Sequence, residues 1–251
     1  IQNMNSDTKL KMKSIRTIIF DFDGTLADTQ SVIRYAFLNT LQHMGMPVPL
    51  DACMNEIYSQ TVEEMFRDVG IVKKNLLKEA VSHYCRVYGV IGPQKARLFP
   101  GVLQTLERLR ERDLSLAIAT NENRKNLERL LHTLKIGHFF SVTICEDEVS
   151  HPKPHPEMVY KILDKTGSSP DQTLIVGDSS LDIQIGKTTF CNTCAVTYGI
   201  HPEKTLRSYS PDWLIDHFSS VLDILGRIEM RISWITGIIR ETLQKHNRSY
   251  I

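Results

Sequence analysis

Two carboxylates stand two residues apart in Asp21-Phe22-Asp23-Gly24-Thr25. Side chains two apart on an extended chain point the same way, so both acids can face one site, while Gly24 lets the backbone turn closely beneath a ligand. A second acidic pair lies in Gly177-Asp178-Ser179-Ser180-Leu181-Asp182. Asp178 and Asp182 are four apart and share a face if the turn opens a helix. Between the two pairs, Thr120-Asn121 offers a hydroxyl and an amide, and Lys153 sits in the run His-Pro-Lys-Pro-His-Pro, whose prolines restrict the loop. Each residue alone has a plain structural role, as a turn or cap acid or as a solvated lysine. Together they are harder to dismiss. Four converging acids repel unless a cation lies among them, and all-oxygen donors suit a hard ion such as Mg²⁺. That ion, a lysine and a hydroxyl around a carboxylate make a site shaped for a phosphoryl group.

The elements that must position these residues are legible in the apolar pattern. Short β-branched or apolar runs predict strands over 17–20, 114–120, 142–145, 173–177, 193–197 and 213–215. Helical spacing over 102–112, 124–134 and 156–166 alternates with them, which implies βαβ crossovers and a parallel, Rossmann-like sheet. In such sheets ligands bind outside the carboxyl ends of the strands, where Asp21, Thr120, Lys153 and Asp178 are expected. From Ser31 to about Tyr88 no strand is evident, while Ile33, Phe37, Leu38 and Leu41, and later Leu76, Leu77, Ala80, Val81 and Tyr84, recur at helical spacing. Gly45, Pro47 and Pro49 should break the first helix of this block, and Thr61 with Glu64 has the form of a capping box. The expected organisation is a polar leader over 1–14, an α/β core over 15–29 and 97–225, a helical insert over 30–96, and a C-terminal extension over 226–251.

Composition limits the partners. The chain has 251 residues with 30 Lys+Arg against 29 Asp+Glu, so no long-range field attracts nucleic acid. Five cysteines are too few for a disulfide scaffold, and a reducing cytoplasm is the expected setting. Cys191 and Cys194 form a lone CxxC, which is expected to serve local packing. The leader has lysines but no apolar stretch of secretory length, and no window is long and apolar enough for a membrane span.

The motifs DFDGT at 21–25, AIATN at 117–121, the Lys-Pro at 153–154 and GDSSLD at 177–182 resemble, in order, the four motifs of the haloacid dehalogenase-like (HAD) hydrolase superfamily. The flanking text is most similar to its phosphoglycolate phosphatase group. The resemblance implies the HAD fold with a helical cap domain, and a Mg²⁺-dependent phosphatase acting on a small phosphorylated metabolite, phosphoglycolate-like, through an aspartyl-phosphate. It implies that Asp21 is the nucleophile and Asp23 the general acid and base. Lys153 would offset negative charge, and Gly24, Thr120 and Asn121 would hold the phosphoryl oxygens. Asp21, the carbonyl of Asp23, Asp178 and Asp182 would bind the metal, with Asp182 direct or through water. Two departures stand out: Cys191-Asn192 replaces a small residue and glycine, with Asn192 expected as a left-handed cap, and NEIYSQTVEEMF lacks the glycine expected in a specificity loop.

Two alternatives share this reading, a β-phosphoglucomutase-like mutase and a pyrophosphatase. A third, of another kind, is a non-catalytic HAD-fold protein that binds a partner. In the extension, Ile228, Ile232, Ile235, Ile239 and Leu243 form a helical stripe, and five basic residues face two acidic ones. Packing on its own domain is the plain expectation there, and a homodimer or partner contact the functional one.

Overall fold

A computed structural model describes residues 14–48 and 60–248, with side chains through 234. Nearly all of the leader, Cys53 and the first five residues of NEIYSQTVEEMF lie outside the described residues. The chain enters through β1 (Thr17–Phe20) and a short β2 (Ala27–Asp28), then forms α1 (Gln30–His43), α2 (Val62–Asp68) and α3 (Lys74–Lys95). It returns through β3 (Arg97–Leu98) and alternates: α4 (Val102–Arg110), β4 (Ser115–Ala119), α5 (Arg124–Leu134), β5 (Val142–Ile144), α6 (Glu157–Thr166) and β6 (Thr173–Gly177). The remainder is α7 (Ser180–Thr188), β7 (Asn192–Val196), α8 (Glu203–Ser208), β8 (Trp213–Ile215) and α9 (Val221–Arg248).

Six strands form one sheet in the order β5-β4-β1-β6-β7-β8, with every pairing parallel. β1 lies between β4 and β6, so Phe20 is in register with Ile118 and Val176. The residues that follow these three positions therefore emerge at one edge of the sheet. That edge holds Asp21, Thr120 and Asp178, as the rule for open parallel sheets requires.

Both faces of the sheet are covered, which is why the four central strands β4, β1, β6 and β7 are almost uniformly buried, while the edge strands β5 and β8 are mostly half-buried. On one face Ile18, Phe20, Leu116, Ile118 and Val176 join the large core, and on the other Ile19, Ala117, Ala119 and Ile175 pack with Met158, Val159 and Ile162 of α6. Cys191 and Cys194 fall into different clusters on the two sides, and both are free thiols. They fill core space, as expected.

The helical segment is held by its own aromatic stack. Phe37 of α1 lies on Phe66 of α2 at 5.3 Å between ring centroids, and Phe66 meets Tyr84 of α3 edge-on at 6.1 Å. The Thr61 box is present: Thr61 Oγ1 accepts from the Glu64 amide at 3.3 Å and Glu64 Oε2 accepts from the Thr61 amide at 3.0 Å. α1 ends at His43 ahead of Gly45, whose φ of +66° terminates the helix, while α3 continues past Tyr88 and through Pro93 to Lys95.

Two features differ from expectation. β2 and β3 pair antiparallel exactly where the chain leaves and re-enters the sheet domain, and strands of two residues are too short to leave a period in sequence. The left-handed residue after α7 is Phe190 with φ +58°, not Asn192. Asn192 begins β7 instead, and its side-chain Nδ2 donates to the carbonyls of Asp171 and Thr173.

Phe20 is fully buried against Phe140 at 6.3 Å and Phe218 at 5.4 Å, one residue before Asp21. Phe20→Ala is expected to lower stability by about 3–5 kcal/mol, read from urea unfolding. A loss under about 1 kcal/mol contradicts a tightly packed β1.

Candidate active site

The end of β1 delivers Asp21 into a cluster of buried charge. Lys153 Nζ lies 2.8 Å from Asp21 Oδ1 and 2.7 Å from Asp182 Oδ1, with its side chain 4% exposed. The loop carrying Lys153 is pinned to the end of β4: the Lys153 amide donates to Asn121 Oδ1 at 3.1 Å. Asp182 is fixed by the start of α7, where Ser179 donates to Asp182 Oδ2 from its amide at 3.1 Å and its hydroxyl at 2.7 Å. Both oxygens of Asp182 thus have protein partners.

Asp178 is held differently. Thr25 Oγ1 donates to its Oδ1 at 2.9 Å and the Ile200 amide to its Oδ2 at 2.6 Å. Two glycines make room for this carboxylate. A Cβ at Gly24 would stand 2.2 Å from Asp178 Oδ2, and one at Gly199 would stand 2.2 Å from Asp178 Cβ. Gly24 also has φ +78°, a conformation that costs other residues energy. The turn that Gly24 closes is therefore shaped around an acid from β6.

Carboxylate oxygens of Asp21, Asp178 and Asp182 all lie within 4.8 Å of one another. At an effective dielectric near 20, each such pair repels by roughly 3–4 kcal/mol when both are ionised, and a single ammonium offsets only part of that. The acid strengths follow. Burial drives Asp21 well above the usual carboxylate range, Lys153 pulls it back, and Asp182 and Asp178 push it further. Asp178 is pushed up to about 7, by burial first and Asp182 next. Burial works against the Lys153 ammonium, yet Asp182 and Asp21 hold its pKa above the ordinary value. A buried, oxygen-only cluster short of positive charge fits a hard divalent cation.

Asp23 belongs to a different contact. Its Oδ1 accepts from Tyr88 Oη of α3 at 2.8 Å, so a helix of the inserted segment reaches the second acid of the first motif. Burial raises the Asp23 pKa, opposed by hydrogen bonds that include Tyr88. Asp23 lies outside the three-acid group, as a residue whose expected metal contact is its carbonyl. Thr120 is buried, and its Oγ1 accepts from the Glu122 amide at 3.1 Å, which leaves the hydroxyl hydrogen free for a ligand. Asp21, Asp23, Thr120, Asn121, Lys153 and Asp178 all line one cleft, closed on its far side by α1, α2 and α3. Gly24 and Asp182 stand behind that lining, packed against the acids that form it.

Residues 18–196 match the model of the haloacid dehalogenase-like hydrolase family. The chain belongs to that family. It is 32% identical over 214 residues to the pyrophosphatase PpaX of Oceanobacillus iheyensis, covering 85% of this chain and 98% of that protein. It is 31% identical over 242 residues to the phosphoglycolate phosphatase of Salmonella choleraesuis, covering 86% and 94%. Among solved structures, a haloacid dehalogenase-like family hydrolase of Streptococcus pneumoniae superposes with a TM-score of 0.74 at 29% identity, covering 84% and 98%. The parallel sheet with an inserted helical cap is thus the fold of this hydrolase family.

Several site contacts are not evident in sequence. Tyr88 reads as one more residue on the buried stripe of α3, although its spacing of four from Tyr84 places two phenols on one face. Thr25 and Ser179 lie inside the motifs but read as turn residues, and Ile200 contributes only a backbone amide. Glu122, 6% exposed, also lines the cleft, and burial followed by the Asp23 charge raises its pKa well above the usual range.

Nearby, burial and the charges of Asp147, Glu63 and Glu64 push Glu146 from 4.5 up to about 7. A carboxyl whose folded pKa exceeds its unfolded value stabilises the fold fully at low pH, and that contribution is lost as pH rises from about 4.5 to about 7. Glu146→Gln does not titrate, so relative to the parent its stability should improve by about 1–2 kcal/mol between pH 4.5 and pH 8 in urea unfolding. An equal difference at both pH values contradicts the burial of this acid.

Proposed function

We propose that this chain is a Mg²⁺-dependent phosphatase that hydrolyses a small phosphomonoester through an aspartyl-phosphate on Asp21. The observation that carries the reading is the buried Lys153 ammonium shared by Asp21 and Asp182 beside Asp178. Lys153 occupies one oxygen of Asp21 and leaves the other to attack phosphorus in line with the leaving oxygen. As the Asp21–phosphorus bond forms and the ester bond breaks, Asp23 gives its proton to the departing alkoxide. Its raised pKa favours the protonated form that this requires. The ionised Asp23 then takes a proton from water, which attacks phosphorus and releases Asp21 and inorganic phosphate. Thr120 and Asn121 would hold the phosphoryl oxygens, with Lys153 offsetting the charge that develops on them.

Asp21, the Asp23 carbonyl and Asp178 would hold the metal, with Asp182 behind them through its lysine and Ser179. Bound there, Mg²⁺ supplies charge neutralisation of the phosphoryl group. We assign the sheet domain to 15–29 and 97–225 and the cap to 30–96, with the β2–β3 pair at their junction. α9 runs from Val221 without a break through Gly226; Val221, Ile224, Leu225 and Ile228 are buried while Met230 and Trp234 are exposed. These exposed residues support a homodimer or partner contact beyond the intramolecular one. Among the described residues no helix is long and apolar enough to cross a membrane, and four free thiols agree with a cytoplasmic setting.

Pyrophosphate hydrolysis is the second reading, favoured by the likeness to the pyrophosphatase. A phosphate-release screen that includes phosphoglycolate, pyrophosphate and sugar phosphates separates the two, and glucose 6-phosphate formed from glucose 1-phosphate would mark a mutase. Asp21→Asn should reduce kcat by at least about 10⁴-fold with the fold retained, because a carboxamide cannot form the acyl phosphate. Parental rates in that variant would falsify the mechanism. Chelation by EDTA should stop phosphate release and added Mg²⁺ restore it, whereas activity indifferent to EDTA sinks the metal assignment.

A further inference from the structure

The hydrogen bond from Tyr88 to Asp23 is where the inserted helices touch the acids of the first motif. Tyr88 is 1% exposed, and its Oη donates to Asp23 Oδ1 at 2.8 Å. Asp23 and Tyr84 are among the described residues that line the cleft, and Tyr88 is not. The phenol therefore meets the acid from behind, and a substrate in the cleft would contact Asp23 without contacting Tyr88.

The packing around Tyr88 fixes where its hydroxyl can go. Its ring lies on Tyr84 with 5.8 Å between centroids, and a Cβ at Gly92 would stand 3.6 Å from Tyr88 Cε1. The residue after Tyr88 is Gly89. A Cβ there would stand 2.7 Å from Arg129 Nη1 and 2.8 Å from Asn126 Oδ1, so α3 seats on α5 of the sheet domain with no side chain of its own between them at this point. Across the same contact Arg129 Nη1 donates to the Gly89 carbonyl at 3.3 Å. A phenol is rigid beyond its two side-chain torsions, so the seat of α3 on α5 sets the distance of the Tyr88 hydroxyl from Asp23.

A carboxyl group can carry its proton on either oxygen. The Tyr88 hydrogen occupies Oδ1, which directs a proton on Asp23 to Oδ2 and holds the plane of the carboxyl. The Thr29 hydroxyl, also beside Asp23, is buried and makes no hydrogen bond to the described residues. Proton transfer to a leaving oxygen depends steeply on such alignment.

We propose that Tyr88 is a positioning residue for the leaving-group step: α3 of the inserted segment supplies the hydrogen bond that holds Asp23 with Oδ2 toward the departing oxygen. The inference rests on the phosphatase reading above and adds a residue from outside the four motifs to the machinery assigned there. Because Tyr88 acts only through Asp23, its loss matters in proportion to how much the leaving oxygen needs a proton. A p-nitrophenoxide departs with little help, whereas an alkoxide needs the acid.

The test measures kcat/KM of the full chain with Mg²⁺ on p-nitrophenyl, phenyl and benzyl phosphate, a series of rising leaving-group basicity and similar size. Tyr88→Phe, which keeps the ring stack, is expected to lower kcat/KM by about tenfold or more for benzyl phosphate and by less than about threefold for p-nitrophenyl phosphate. In an Asp23→Asn background the same substitution should change kcat/KM for phenyl phosphate by less than about twofold, as holds when one residue acts through the other. Equal losses on all three esters, no loss on any, or a loss that persists in full in the Asp23→Asn background overturns the positioning role while leaving the phosphatase reading in place. A parent chain that frees phosphate from none of these esters, nor from phosphoglycolate or pyrophosphate, fails the phosphatase reading, and the inference fails with it.

Discussion

A single buried ammonium organises the site. Lys153 reaches from a proline-bounded loop to touch Asp21 and Asp182, and without it the three acids after β1, after β6 and in the first turn of α7 would face one another with no cation from the described residues between them. Removing one partner from such a buried set leaves uncompensated charge, which is far more damaging than exchanging a surface pair. The surrounding structure supports this arrangement in detail. The Asn121 amide fixes the Lys153 backbone, Ser179 fixes Asp182, and Gly24 and Gly199 shape the backbone around Asp178. Even so, the balance is negative, and burial first, then the neighbouring carboxylates, push Asp21 and Asp178 upward. Such an imbalance among oxygen donors is of the kind that a hard divalent cation would relieve.

The inserted helices do more than roof the cleft. Tyr88 reaches from α3 to Asp23, and the ring stack from Phe37 through Phe66 and Tyr84 ties α1, α2 and α3 into one unit behind it. A displacement of α3 therefore alters the partner of Asp23. Because β2 and β3 pair where the two connections cross, both connections are coupled to the turn that presents Asp21 and Asp23. In this arrangement the position of α3 and the hydrogen bonding of Asp23 are mechanically linked.

The strand-end side of the cleft was readable in sequence, and the side facing the inserted helices was obscure. Asp21, Thr120, Lys153 and Asp178 follow apolar strands in a parallel sheet, so topology alone brings them to one edge, and their residue types constrain the chemistry. Strand and helix limits fell within a few residues for the same reason: buried parallel strands and amphipathic helices have distinct periods. Tyr88, by contrast, lies 65 positions from Asp23 on a stripe that spacing assigns to the core. Ile200 acts through an amide that no side chain advertises, and Glu122 resembles an ordinary polar residue before a helix. Asn192 illustrates the opposite error, where residue propensity pointed to a left-handed position that the chain gives to Phe190. Contacts that depend on how two domains meet carry no local signature.

In the proposed mechanism the oxygen of Asp21 not held by Lys153 bonds covalently to phosphorus during turnover. Rapid acid quenching of the Mg²⁺-loaded protein during hydrolysis of a good substrate, followed by peptide mass spectrometry, reads this directly. One added phosphoryl group is expected on the peptide containing Asp21, formed and lost at rates consistent with kcat. Phosphate release at a normal rate with Asp21 unmodified at every quench time would contradict it.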